Sequence, residues 1–161
     1  MHWADFAAQT LSQRGSKHII ASGITPSGEF HIGHLREILT GDMITRACRS
    51  AGLDAEFVFI VDSADPLRKV YPFLSDEYEQ YIGCALATIP APDENGKPGN
   101  DGRNYAEHFL EPFLAALAQI DVRPRIIDNY DSYANGKFAE KSRIACEKAG
   151  EIREIIERVS G

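Results

Sequence analysis

The chain has 161 residues, enough for one domain with a real core, and at 43% hydrophobic and 25% charged residues it has the composition of an ordinary globular protein. A formal net charge of −7 argues against indiscriminate nucleic-acid binding. No apolar run is long enough to cross a bilayer and no signal peptide opens the chain, so a cytoplasmic protein without a membrane partner is expected. Cys48, Cys84 and Cys146 are scattered without paired spacing and imply neither a disulfide frame nor a zinc knuckle.

In chain order, Trp3, Phe6, Ala7 and Leu11 recur at helical spacing and predict a helix over about residues 3–14, stopped by Gly15. Residues 18–24 are an apolar run that reads as a buried strand, broken at Pro26 and Gly28. Leu35, Ile38, Leu39, Met43 and Ala47 then mark a helix that Gly52 closes as a left-handed cap. Residues 55–61, almost continuously β-branched, aromatic or otherwise apolar, suit a second parallel strand buried on both faces. Strand, helix and strand make a right-handed crossover, half of a dinucleotide-type α/β fold. Residues 77–86 read as a short helical stretch with Tyr78, Tyr81 and Ile82 on one side, and residues 90–104, rich in Pro, Gly, Asn and Asp, as an exposed insertion. Helical spacing resumes through Phe109, Leu110, Phe113, Leu114 and Leu117, with Pro112 forcing a kink or a fresh start. A third strand is expected over residues 125–128. One or two helices follow over residues 137–159, with Ile144, Ile152, Ile155, Ile156 and Val159 inward.

The stretch with the most chemistry is the first strand-turn-helix. A helix N-terminus beyond a parallel strand presents unpaired N–H groups and a positive dipole end, so a phosphate belongs there. His31 and His34 share one face of the opening turn, and Gly33 between them lets a flat ligand approach the backbone. Two imidazoles donating to phosphate oxygens suit nucleotidyl transfer, in which a carboxylate attacks the α-phosphate of ATP and pyrophosphate leaves. The competing reading is that the histidines pack or cap the helix. Asp62 and Asp65, just past the second strand, are candidates to hold an amino-acid ammonium, with turn or helix capping as the alternative. Arg68 and Lys69 either meet a phosphate or form a solvated surface pair.

His31-Ile32-Gly33-His34 spells the HIGH signature of class I aminoacyl-tRNA synthetases. Residues 1–5 (MHWAD), 21–28 (ASGITPSG), 65–73 (DPLRKVYPF), 105–113 (YAEHFLEPF) and 151–161 (EIREIIERVSG) all resemble the class I lysyl-tRNA synthetases of archaeal and bacterial type. The resemblance implies an α/β fold of the HIGH nucleotidyltransferase class, Rossmann-like, with a parallel sheet flanked by helices. This chain supplies its first half only: one partial catalytic domain over residues 1–161, with an inserted loop at about 87–104. The second half-fold, its lysine-rich KMSKS-like loop and the anticodon-binding domain are expected to be absent. Residues 138–142 (FAEKS) lie in a helical pattern with an acid in mid-motif and do not read as that loop.

By the same resemblance the complete enzyme is a lysine-tRNA ligase. It makes lysyl-adenylate from lysine and ATP, with Mg2+, and passes lysine to the acceptor end of tRNA(Lys). His31 and His34 are the implied catalytic pair, and Ser27, Gly28, His31, Gly33 and His34 the ATP contacts. Gly23 and Thr25 are the implied lysine contacts, alongside the candidates Asp62 and Asp65. The family often has Asn where His34 stands, and both types donate hydrogen bonds. Its insertion commonly carries Cys and His zinc ligands. Here Asp93 and His108 flank a stretch without either, so no zinc is expected and His108 reads as a packed or partly exposed helix residue. The isolated chain is expected to be weakly active or inactive, with a completing polypeptide or self-association covering its open sheet edge. The alternatives are a stand-alone nucleotidyltransferase acting on another carboxylate, and a non-catalytic remnant that binds ATP or a partner.

Overall fold

A computed structural model describes residues 1–160, which fall into two compact units divided after Asn129. The first unit opens with α1 (Trp3–Ser12) and continues through β1 (Lys17–Ile24), α2 (Ile32–Ser50), β2 (Asp54–Val61), α3 (Tyr105–Gln119) and β3 (Arg125–Asp128). The three strands are parallel in the order β1-β2-β3, with Ile20 beside Phe57, Ile24 beside Val61, and Val61 beside Asp128.

Period-two alternation sorts the sheet. Phe57, Phe59 and Val61 of β2 join Ile38 of α2 and Leu117 of α3 in one core, with Ile20 and Ile24 of β1 packed against it. Both crossover helices therefore lie on one face, and α1 docks beside them, its Ala8 clustering with Cys48 of α2 and Ala55 of β2. Two features hold α2 at its ends and middle. Gly52, at φ +82°, follows it in the left-handed conformation, and Gly41 leaves space for the Phe57 ring, which an added Cβ would meet at 2.5 Å.

β1 departs from the expectation of a buried strand. It is an outer strand, with Lys17, Ile19, Ala21 and Gly23 exposed on the face away from α2; Ile19 is 63% exposed. The apolar run thus reflects one packed face, whereas central β2 is buried on both faces at Phe57, Val58 and Phe59.

Between β2 and α3 the chain builds a second core from Leu67, Leu74, Tyr78, Leu86, Ile89, Tyr105, Ala106 and Phe109. The expected helix at 77–86 is instead two 3-10 turns, Asp76–Tyr81 and Leu86–Thr88, with Tyr78 buried and Ile82 exposed. The insertion is not simply exposed either: Ile89, Ala91, Pro92 and Gly96 are buried. Short bridges Pro90 to Asn104 and Pro92 to Pro98 fold it back. Gly96, at φ +73°, sits so close to the Phe73 carbonyl that a Cβ would lie 2.3 Å from the oxygen. A polar, turn-rich segment can still be structural when its backbone groups pair with each other. α3 runs unbroken through Pro112, with its N-terminus held by a capping box between Asn104 and Glu107.

The second unit holds α5 (Ala139–Glu147) and α6 (Ala149–Ser160); α4 (Asn129–Ala134) begins at the boundary. The inward placement expected for its isoleucines is corrected here. Ile155, Ile156 and Val159 are 51%, 56% and 77% exposed, because neither α5 nor α6 has a buried residue against which the α6 stripe could pack. No described helix is long and apolar enough to cross a membrane.

Candidate functional site

The turn after β1 and the first turn of α2 form one wall of a cleft of about 690 Å³. His31 is the N-cap of α2 and His34 its third residue. The Gly33 N–H donates to His31 Nδ1 at 3.0 Å, and the His31 N–H donates to His34 Nδ1 at 3.0 Å. Capping and ligand binding, opposed as readings of the sequence, are here compatible, since they use different nitrogens. With each Nδ1 accepting from the backbone, each neutral ring carries its proton on Nε2. Neither cap uses Nε2, and both residues line the cleft. The ring centroids are 3.9 Å apart.

Burial, followed by the neighbouring His31, pushes the His34 imidazole below its ordinary range, with Glu37 opposing. His34 therefore stays a neutral donor. Phe30 steadies it edge-on, with centroids 5.3 Å apart, while stacking on Phe113 at 4.3 Å.

Gly33 has a structural role as well. A Cβ there would lie 2.8 Å from His31 Cε1 and 3.0 Å from Nδ1, so its missing side chain makes room for the capping ring. Gly28 likewise lies beneath the Phe73 ring, 3.3 Å from where its Cβ would be. The turn itself is anchored by Tyr105, whose buried hydroxyl donates to the Ser27 carbonyl at 2.8 Å. Burial holds the Tyr105 phenol far above its ordinary value, so it remains a donor.

Thr25, Ser27, Gly28, His31 and His34 line the cleft together. Gly33 borders a neighbouring groove with Arg36 and Glu37. Gly23 is exposed near the end of β1. Asp65 receives the Thr25 hydroxyl at 2.7 Å, and Arg68 lies 3.6 Å from the same carboxylate oxygen. Asp62 receives the side-chain amide of Asn129, and its own N–H donates to the Ile24 carbonyl at 2.8 Å. These contacts lock the C-terminal ends of the strands together, with Ser63 bonded to Asp128 at 2.6 Å. Lys69 sits 5.5 Å from the centre of the Tyr71 ring.

The facing wall was not read from the sequence. Tyr71, Phe73, Pro92, Asp93, Glu94, Gly96, His108 and Phe109 complete the cleft. The signal lay in two aromatic-rich stretches around residues 71–73 and 105–113, where phenylalanine spacing otherwise reads as core. Asp93 is engaged in the insertion's turn, accepting from the Asn95 and Lys97 N–H groups at 2.8 Å each. His108 is half-buried, with Nδ1 enclosed and unpartnered among the described residues. No group of three or more His, Cys, Asp or Glu side chains among the described residues is placed to hold a metal ion.

Comparison with known proteins agrees with this geometry. The family model described as tRNA synthetases class I (K) matches residues 1–161. The lysine-tRNA ligase of Methanosarcina barkeri is 43% identical over the whole chain, which covers 29% of that protein. The Archaeoglobus fulgidus lysine-tRNA ligase is 44% identical over the whole chain, which covers 31% of it. The Methanocaldococcus jannaschii lysine-tRNA ligase is 43% identical over 98% of the chain and 29% of its own length. The chain thus spans about three-tenths of the length of these relatives. A parallel α/β crossover with a histidine-capped helix just after its first strand, matched from end to end, places the chain in the lysine-type family of class I tRNA synthetases.

Proposed function

We propose that this chain supplies the nucleotide-gripping half of a lysine-activating site, and that the protein carrying it is a class I lysine-tRNA ligase. The lysine carboxylate attacks the α-phosphate of ATP, pyrophosphate leaves, and the lysyl group passes from the adenylate to the acceptor end of tRNA(Lys). The observation that carries this reading is the paired use of Nδ1 by the backbone, which leaves the Nε2 positions of two residues that line one cleft as donors. Donors already oriented before the ligand arrives need no reorganisation as charge grows on phosphate oxygens. Each contributes roughly 2.7–4 kcal/mol in comparable oxyanion sites.

Ser27 and Gly28 bring the turn's backbone to the triphosphate, and Gly23 and Thr25 lie on the lysine side. Glu29, Asp93 and Glu94 make the cleft acidic, so the nucleotide is expected to enter as its Mg2+ complex. Zinc has no role in this reading. The test is lysine-dependent exchange of labelled pyrophosphate into ATP by the protein that carries this chain. The expected result is exchange that His31→Ala and His34→Ala each reduce by about 100-fold or more. Exchange driven equally by an uncharged amino acid, or unaffected by both substitutions, overturns the reading.

A further inference from the structure

Resting on that reading, we infer that Asp65 is a positioning residue for lysine: it acts through Thr25, turning the threonine hydroxyl into a one-way acceptor for a substrate ammonium group. A hydroxyl has one proton and two lone pairs, and by itself accepts or donates as the ligand requires. The Thr25 proton is committed, because Oγ1 donates to Asp65 Oδ2 at 2.7 Å. What Thr25 then offers the cleft it lines is lone pairs alone. A phosphate or carboxylate oxygen placed there meets a second acceptor, whereas an ammonium finds both an acceptor and, behind it, a negative charge.

The backbone holds the pair from both sides. The Ser27 N–H donates to the Thr25 carbonyl at 2.8 Å, the Asp65 N–H donates to the Asp62 carbonyl at 3.1 Å, and the Leu86 N–H donates to the Asp65 carbonyl at 3.0 Å. Arg68, 3.6 Å from the Asp65 carboxylate, has its side chain 73% exposed, so water screens it. The device also assigns the two ends of the site to opposite charges. The histidine donors take the phosphates, and the Thr25–Asp65 pair takes the ammonium.

The test is a double-mutant cycle on lysine binding, with Mg-ATP binding as the control for an intact fold. Thr25→Val and Asp65→Ala should each weaken L-lysine binding roughly 10–100-fold, the value of a hydrogen bond to a charged group. The double variant should bind no more weakly than either single variant, since Asp65 has nothing to act through once the hydroxyl is gone. Asp65→Asn, which accepts the hydroxyl proton without the charge, should fall between wild type and Asp65→Ala. Mg-ATP affinity should stay within about twofold throughout. Additive losses, or an equal loss of Mg-ATP binding, overturn the inference. Wild-type protein that takes no lysine overturns the functional reading and the inference with it, whereas lysine binding that Asp65→Ala leaves intact overturns the inference alone.

Discussion

Gly33→Ala separates a folding effect from a functional one at a single methyl group. Gly33 is the second residue of α2 and is not in the left-handed region, so alanine suits its backbone. On helix propensity alone the change stabilises by up to about 1 kcal/mol. The new Cβ would sit 2.8 Å from His31 Cε1 and 3.0 Å from Nδ1. Both separations are well inside the contact distance of about 3.5 Å at which such atoms rest. The His31 ring must swing away, and the bond from the Gly33 N–H is lost with it, at a cost of about 1 kcal/mol for the cap. The two effects nearly cancel, so the urea midpoint should move little. Function should not be spared, because the displaced ring no longer aims Nε2–H into the cleft. One oriented donor is worth about 100-fold or more in rate, and pyrophosphate exchange should fall accordingly. An alanine variant with wild-type stability and wild-type exchange would refute the claim that the His31 cap sets the catalytic geometry.

The remaining predictions concern the same framework. His34 should titrate by NMR below its ordinary value of 6.5, and Glu37→Gln should lower it further by removing the opposing charge. Because the folded state resists protonation, the stability His34 contributes is full above 6.5 and is lost as pH falls from there toward the depressed folded value. A thermal melt series from pH 8 to 5 in wild type and His34→Asn should show that component only in wild type. Tyr105→Phe removes the buried bond to the Ser27 carbonyl and should cost about 1–3 kcal/mol in urea unfolding, with weaker Mg-ATP binding as the turn loosens. Gly41→Ala drives a Cβ to within 2.5 Å of the Phe57 ring; overpacking of about 1–3 kcal/mol should exceed the roughly 1 kcal/mol helix gain, leaving a net loss of stability.

Much of the molecule was legible in the letters because the signals are local. The 3.6-residue spacing of Leu35, Ile38 and Leu39, and the breakers Pro26, Gly28 and Gly52, define a strand, a turn and a helix without reference to anything distant. That is enough to set two histidines on the first turn of that helix. The misreadings share one cause: periodicity reports which face is apolar and is silent on whether anything covers it. Ile19 of β1 and the Ile155, Ile156 and Val159 stripe of α6 are apolar yet exposed, whereas Ile38 of α2 has the sheet to pack against.

What the sequence by itself determined, then, is the order of the main elements and the placement of His31 and His34 on the helical turn that follows a parallel strand. Propensity, turn chemistry and spacing act over a few residues. Tertiary structure alone decided that the turn-rich insertion closes the far side of the cleft, and that Asp65 reaches a threonine 40 residues away. Those depend on contacts between segments remote in the chain, which leave no periodic trace in the residues that make them.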